Sequence, residues 1–163
     1  MKKDITVATF GFVIMLVIMR FNGMALVTPI SPRAIIDLEF ADTPQRVAAL
    51  LSHWDLTSVK MNIWLDFVFI ASYVYFLFVM AERFSLKWRE DHFMRQVGLF
   101  LSRASIVAGM FDVVENLLML QTIAGNYTTL SLQLTFYCAA FKFILIGAVF
   151  LYFIVSVPAG IKR

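Results

Sequence analysis

Long apolar runs separated by short polar segments dominate the chain. They cover about residues 5–27, 59–82, 97–124 and 129–157. Each is long enough to cross a hydrocarbon core of about 30 Å as a tilted helix rising 1.5 Å per residue. The second and third contain acids, so a search for charge-free stretches alone would miss them. Thr57 or Ser58 is placed to cap the second run, Gly125-Asn126 to end the third, and Pro158 and Gly160 to end the fourth. The first run follows Met1-Lys2-Lys3, and a basic start before a short apolar core also fits a secretory signal, with Gly23-Met24-Ala25 as a poor cleavage site. Arg20 interrupts the end of that core, which favours a retained helix. The pattern predicts an all-α fold, an integral membrane four-helix bundle forming a single membrane domain over residues 1–163.

The first connection, about residues 28–57, is long enough to carry structure of its own. Pro29 and Pro32 break the chain after the first span. Asp42-Thr43-Pro44 then reads as a helix start, a capping residue before a proline in the first turn. Val47, Leu50, Leu51 and Trp54 follow at helical spacing, while Gln45, Arg46 and His53 take other faces. This predicts a short amphipathic helix on the outer membrane surface, acting as a lid over the bundle or as packing that closes its end. In the second connection, Lys87-Trp88-Arg89-Glu90-Asp91-His92 sets a tryptophan among charges, the usual form of an interfacial anchor.

Composition agrees with this picture. The 163 residues are 61% hydrophobic and 15% charged, against about 45–50% and about 25% in soluble domains. Disorder, collagen, coiled coil and a cytosolic enzyme are excluded. The net charge is +3, yet the basic residues lie at the membrane edges rather than in one patch, so no nucleic acid partner is implied. Lys2, Lys3, Arg83, Lys87, Arg89, Arg95, Lys162 and Arg163 fall on one side of a four-span arrangement, and Arg33, Arg46 and Lys60 on the other. The positive-inside rule then puts both termini in the cytoplasm, and in a bacterial inner membrane the first connection would be periplasmic.

Five charges deep in the spans carry the chemical interest: Arg20, Asp66, Asp112, Glu115 and Lys142. Each is expensive in hydrocarbon and should face the bundle interior and pair. Counted from the outer ends at 1.5 Å per residue, they fall between about 10 and 21 Å deep. Asp112, Glu115 and Asn116 share one face of the third helix. Asn62, Asp66 and Tyr73 form a stripe on the second, and Ser131, Thr135, Cys138 and Lys142 one on the fourth. Two cations against three carboxylates leave one negative charge to be removed by a proton, a bound cation or a cationic ligand group. Asp112, the deeper of the adjacent pair, is the expected proton holder. Arg20–Asp66 and Lys142–Asp112 or Lys142–Glu115 also read as purely structural ion pairs.

The lone Cys138 cannot form an intrachain disulfide and reads as a small buried hydrophobe. Two histidines, His53 and His92, fall on opposite sides, so no two-histidine metal site forms within one chain. No hydrolase, zinc, redox or nucleotide-binding motif is present, so neither a cofactor nor a reacting group is implied.

Ile36-Asp37-Leu38-Glu39-Phe40-Ala41-Asp42-Thr43, Leu50-Leu51-Ser52-His53-Trp54, Leu65-Asp66-Phe67-Val68-Phe69-Ile70-Ala71-Ser72-Tyr73 and Phe111-Asp112-Val113-Val114-Glu115-Asn116 together resemble a group of small, uncharacterised bacterial four-span membrane proteins. That resemblance implies membrane residence and fold, and no activity. The layout also resembles the emopamil-binding-protein-like superfamily of sterol isomerases and receptors, which implies acids facing a ligand cavity. The chain lacks the intramembrane histidine those isomerases use, so no catalytic residue carries over. The expected role is binding of a small amphiphile or lipid by Asp66, Asp112, Glu115, Asn116, Arg20, Lys142, Tyr73 and Asn62. A proton- or cation-conducting subunit, which would require a homo-oligomer, and a structural protein serving a membrane partner remain the alternatives.

Overall fold

Each apolar run winds into one long helix, and the second and third extend beyond the run at their ends. The computed structural model describes residues 2–157, with side chains from Asp4 onward. Lys2 and Lys3, as side chains, and Pro158, Gly160, Lys162 and Arg163 lie outside that description. In chain order the elements are α1 (Lys2–Gly23), a 3-10 turn (Met24–Leu26), α2 (Ile36–Glu39), α3 (Pro44–Leu51), α4 (Leu56–Ser85), α5 (Phe93–Ile123) and α6 (Thr129–Ser156). The helices containing Asp4–Leu26, Leu56–Ser85, Phe93–Ile123 and Thr129–Ser156 are long and apolar enough to cross a membrane. α4, α5 and α6, at 28 to 31 residues, extend about 42–46 Å. Their ends therefore project beyond a hydrocarbon core of about 30 Å.

Local chemistry sets the helix limits. Thr43 caps α3 with Pro44 in its first turn, as the sequence predicts. Asp55, not Thr57 or Ser58, caps α4: its Oδ2 accepts from the Ser58 N–H at 2.8 Å and from the Ser58 hydroxyl at 2.9 Å. A carboxylate is the better cap because it accepts both bonds and carries charge favourable to a helix N-terminus. The Ser58 N–H also holds the Asp55 carboxyl below its ordinary pKa. Gly125 ends α5 with φ +81°, a left-handed conformation that glycine adopts without a Cβ clash.

The helices pack in the order α1–α4–α5–α6. Of the most apolar stretch in each, 44% of α5 is buried against only 6% of α1, so α5 is the central post and α1 a peripheral one. The buried side of α5 carries small residues (Gly98, Ser102, Ser105, Gly109) that continue into Asp112 and Asn116 at spacings of three and four. Small residues let helix backbones approach closely in lipid, where packing rather than water exclusion drives association. Large side chains point outward along every span, among them Phe10, Phe21, Phe100, Ile144 and Ile154, all exposed. Apolar exposure this continuous fits acyl chains, not water.

Two apolar clusters occupy the two ends of the bundle. One joins Leu26, Leu38, Val47, Leu50 and Trp54 to Val59, Ile63, Met119, Ile123 and Leu132. The other joins Ile70, Leu77 and Ala81 to Leu101, Ala104, Val149 and Tyr152. The apolar face of α3 therefore packs against the end of the bundle, the second of its two expected roles. Trp54 locks this arrangement, its indole N–H donating to the Leu26 carbonyl at 2.8 Å and the Ser31 hydroxyl at 3.1 Å. At the opposite end Trp88 donates to Ser156 at 3.3 Å and stacks on His92, a protein contact where a headgroup anchor was expected.

Gly98 gives a direct test of the packing. A Cβ there would lie 2.7 Å from the Ser85 Cβ and overlap the Tyr152 hydroxyl. Gly98→Leu is expected to lower stability by about 1–3 kcal/mol or more through overpacking, read as a lower unfolding midpoint in detergent. An unchanged midpoint would contradict the close approach of α4, α5 and α6.

Candidate functional site

Between the two apolar clusters lies a polar layer contributed by α4, α5, α6 and, from the first connection, α2. Lys142 of α6 is at its centre, with 5% of its surface exposed. Its Nζ donates to Asp112 Oδ1 at 2.8 Å and Glu115 Oε1 at 2.9 Å. Glu39 Oε2 approaches the same ammonium at 3.4 Å, near enough for an ion pair but not aligned as a hydrogen bond. Asp112 Oδ2 accepts the Tyr73 hydroxyl at 2.7 Å, and Asn116 donates to Asp66 Oδ2 at 2.7 Å. Asn62 donates to Asn22 of α1 at 2.8 Å. Thr135 and Cys138 are buried on the same stripe of α6 as Lys142.

The layer thus gathers Asp66, Tyr73, Asp112, Glu115, Asn116 and Lys142, all expected from helical spacing, and adds two corrections. Glu39 was not among the candidates, because its segment reads as an external loop; α2 turns it inward until only 6% of its surface is exposed. Its signal was an acid set among Ile36, Leu38, Phe40 and Ala41, a pattern ill suited to a solvated loop. The expected Arg20–Asp66 ion pair is not formed. Asp66 turns to Asn116, while Arg20 is exposed on α1 and makes no hydrogen bond or ion pair with a described residue. Arg103, a further charge within α5 that the sequence reading leaves out, is exposed away from this layer.

Charge balance then dictates a proton. One ammonium faces Glu39, Asp112 and Glu115, and only one of these charges is cancelled. Glu39 Oε2 and Glu115 Oε2 are buried with no donor, and both carboxyl groups close on the one Lys142 ammonium. A proton kept by the pair supplies the missing donor and removes one charge, whereas two adjacent buried carboxylates would each lack a partner. The missing donor thus falls on Glu39 and Glu115 and not on Asp112, whose two oxygens accept from Lys142 and Tyr73. Burial pushes the Glu39 carboxyl above its ordinary pKa, against the attraction of Lys142. Among the described residues, no group of three His, Cys, Asp or Glu side chains is arranged to hold a metal ion.

Beside this cluster is a cavity of about 600 Å³. Phe12, Met19 and Arg20 of α1 form one wall and Phe143, Ile146 and Phe150 of α6 the other. Asp66, Phe69, Tyr73, Asp112 and Lys142 line its inner side, and Pro32–Ile36 with Glu39 come from the first connection. The cavity exists because α1 packs on α4 and α6 on α5, leaving the gap between α1 and α6 without a helix–helix seam. Compared with known proteins, the chain matches no family model, no curated protein and no solved structure.

The raised pKa of Glu39 has a defined consequence. The folded state holds the proton more tightly than the unfolded state does. The stabilisation is therefore complete below the ordinary glutamate value of 4.5 and is lost as pH rises through the elevated value. The detergent unfolding midpoint is expected to fall over that rise, and Glu39→Gln to flatten the dependence. Equal slopes for wild type and variant would contradict the buried position of Glu39.

Proposed function

We propose that this membrane protein binds a small amphiphile or lipid in the cavity between α1 and α6. The observation that carries the reading is the union of aromatic and aliphatic walls with a polar inner side. The volume, about 600 Å³, falls within the usual range for small-molecule sites, whose linings are mainly apolar with a few placed polar groups. Asp66 presents the reactive edge: its Oδ2 is taken by Asn116, while its Oδ1 makes no hydrogen bond to a described residue and is not shut away from the cavity. The gap between α1 and α6 offers a side entrance from the bilayer, so a ligand need not pass through water. The resemblance to emopamil-binding-protein-like proteins supports the same reading by analogy of layout.

Conduction of protons or cations is less well supported, because apolar clusters bracket the polar layer above and below. The Lys and Arg distribution supports both termini being cytoplasmic, the resemblance to small bacterial four-span proteins supports an inner-membrane setting, and the side reported by a topology reporter fused after Arg163 tests that orientation. For binding, native mass spectra of the purified wild type should contain a discrete adduct. Ile146→Trp, which fills the cavity from α6, and Asp66→Asn, which keeps the Asn116 bond, should each reduce it without unfolding the protein. A wild type with no adduct, or an adduct untouched by either substitution, would overturn the reading.

A further inference from the structure

The charges lining the cavity narrow the class of ligand. They are Arg20, Arg33, Glu39, Asp66, Asp112 and Lys142, and four of them are already committed. The Arg33 guanidinium places Nε and Nη2 at 3.1 and 2.8 Å from Asp37 Oδ1. Lys142, Asp112 and Glu39 close on one another and on Glu115. Arg20 and Asp66 are left, a cation on α1 and an anion on α4. They face one cavity without forming an ion pair within 4.0 Å of each other, and Arg20 has no other partner among the described residues. A charge beside apolar walls is costly until it is paired. An occupant with a single charge would satisfy one of the two and leave the other exposed to hydrocarbon.

We infer that the cavity selects a zwitterionic headgroup, a primary ammonium and a phosphate on a short linker, with Asp66 taking the ammonium and Arg20 the phosphate. This rests on the amphiphile-binding reading and goes beyond it in naming the headgroup. A guanidinium is planar, permanently charged and suited to two parallel bonds to phosphate oxygens. The open Asp66 Oδ1 accepts hydrogen bonds, which an ammonium can donate and a quaternary amine cannot. The apolar walls of Phe12, Phe143 and Phe150 are left for acyl chain.

The test uses detergent-purified protein titrated with three phospholipids of identical chains and read by native mass spectrometry. Phosphatidylethanolamine should bind roughly tenfold more tightly than phosphatidylglycerol or phosphatidylcholine, about what one hydrogen bond to a charged group supplies. Asp66→Asn should erase the preference over phosphatidylglycerol. Arg20→Gln should weaken phosphatidylethanolamine while sparing a long-chain alkylamine. Competition by free phosphoethanolamine would identify the same chemistry drawn from a soluble source, and lack of competition would assign it to the lipid. Three lipids bound equally, with both variants unchanged, would overturn the headgroup assignment, leave amphiphile binding intact and reduce Arg20 to an interfacial anchor. No binding of any lipid or of the alkylamine would remove both readings.

Discussion

A single buried ammonium, held in a polar layer between two apolar clusters, organises this protein. Removed from water, the Lys142 charge must be met by anions at contact distance, and the chain supplies them from α5 and from the first connection. An uncompensated buried charge is strongly destabilising, so the elements that bring partners to Lys142 are constrained together. α5 must present Asp112 and Glu115 one turn apart on the side facing α6. α2 must fold inward far enough for Glu39 to arrive. The first connection is thereby tethered to the bundle by electrostatics as well as by the apolar contacts of Val47, Leu50 and Trp54.

The same demand explains the layered interior. Polar groups from four elements collect at one depth, and apolar clusters close the bundle on both sides of them. Within the layer, Tyr73 and Asn116 provide donors to carboxylate oxygens that Lys142 does not reach. The oxygens without donors, on Glu39 and Glu115, lie on the two carboxyl groups that share the Lys142 ammonium, where a proton would supply the missing donor. The cavity has a different origin. It follows from α1 leaning on α4 alone, and Arg20 and Asp66 remain available because neither is drawn into the Lys142 cluster.

Much of this was legible from helical periodicity. Asp112, Glu115 and Asn116 share a face because residues three and four apart must, and the buried stripe through Thr135, Cys138 and Lys142 follows the same rule. The four spans and the start of α3 at Pro44 likewise rest on local signals. Pairing across helices was less legible, because matching depth says nothing about rotation about each helix axis. Arg20 and Asp66 were matched by depth, yet Asp66 is turned toward α5 and Asn116. Glu39 escaped because a proline-broken connection between spans reads as exposed loop, and a four-residue helix is too short to show periodicity. Its burial depends on tertiary contact with Lys142, about a hundred residues along the chain.

The most direct test of the central claim is the protonation state of the acids around Lys142. Infrared spectra of the detergent-solubilised protein at neutral pH distinguish a protonated carboxyl group from an ionised carboxylate. The account predicts a protonated carboxyl band in the wild type that is lost or shifted in both Glu39→Gln and Glu115→Gln and is retained in Asp66→Asn. A wild-type spectrum showing only ionised carboxylates, or a protonated band indifferent to Glu39 and Glu115, would contradict it.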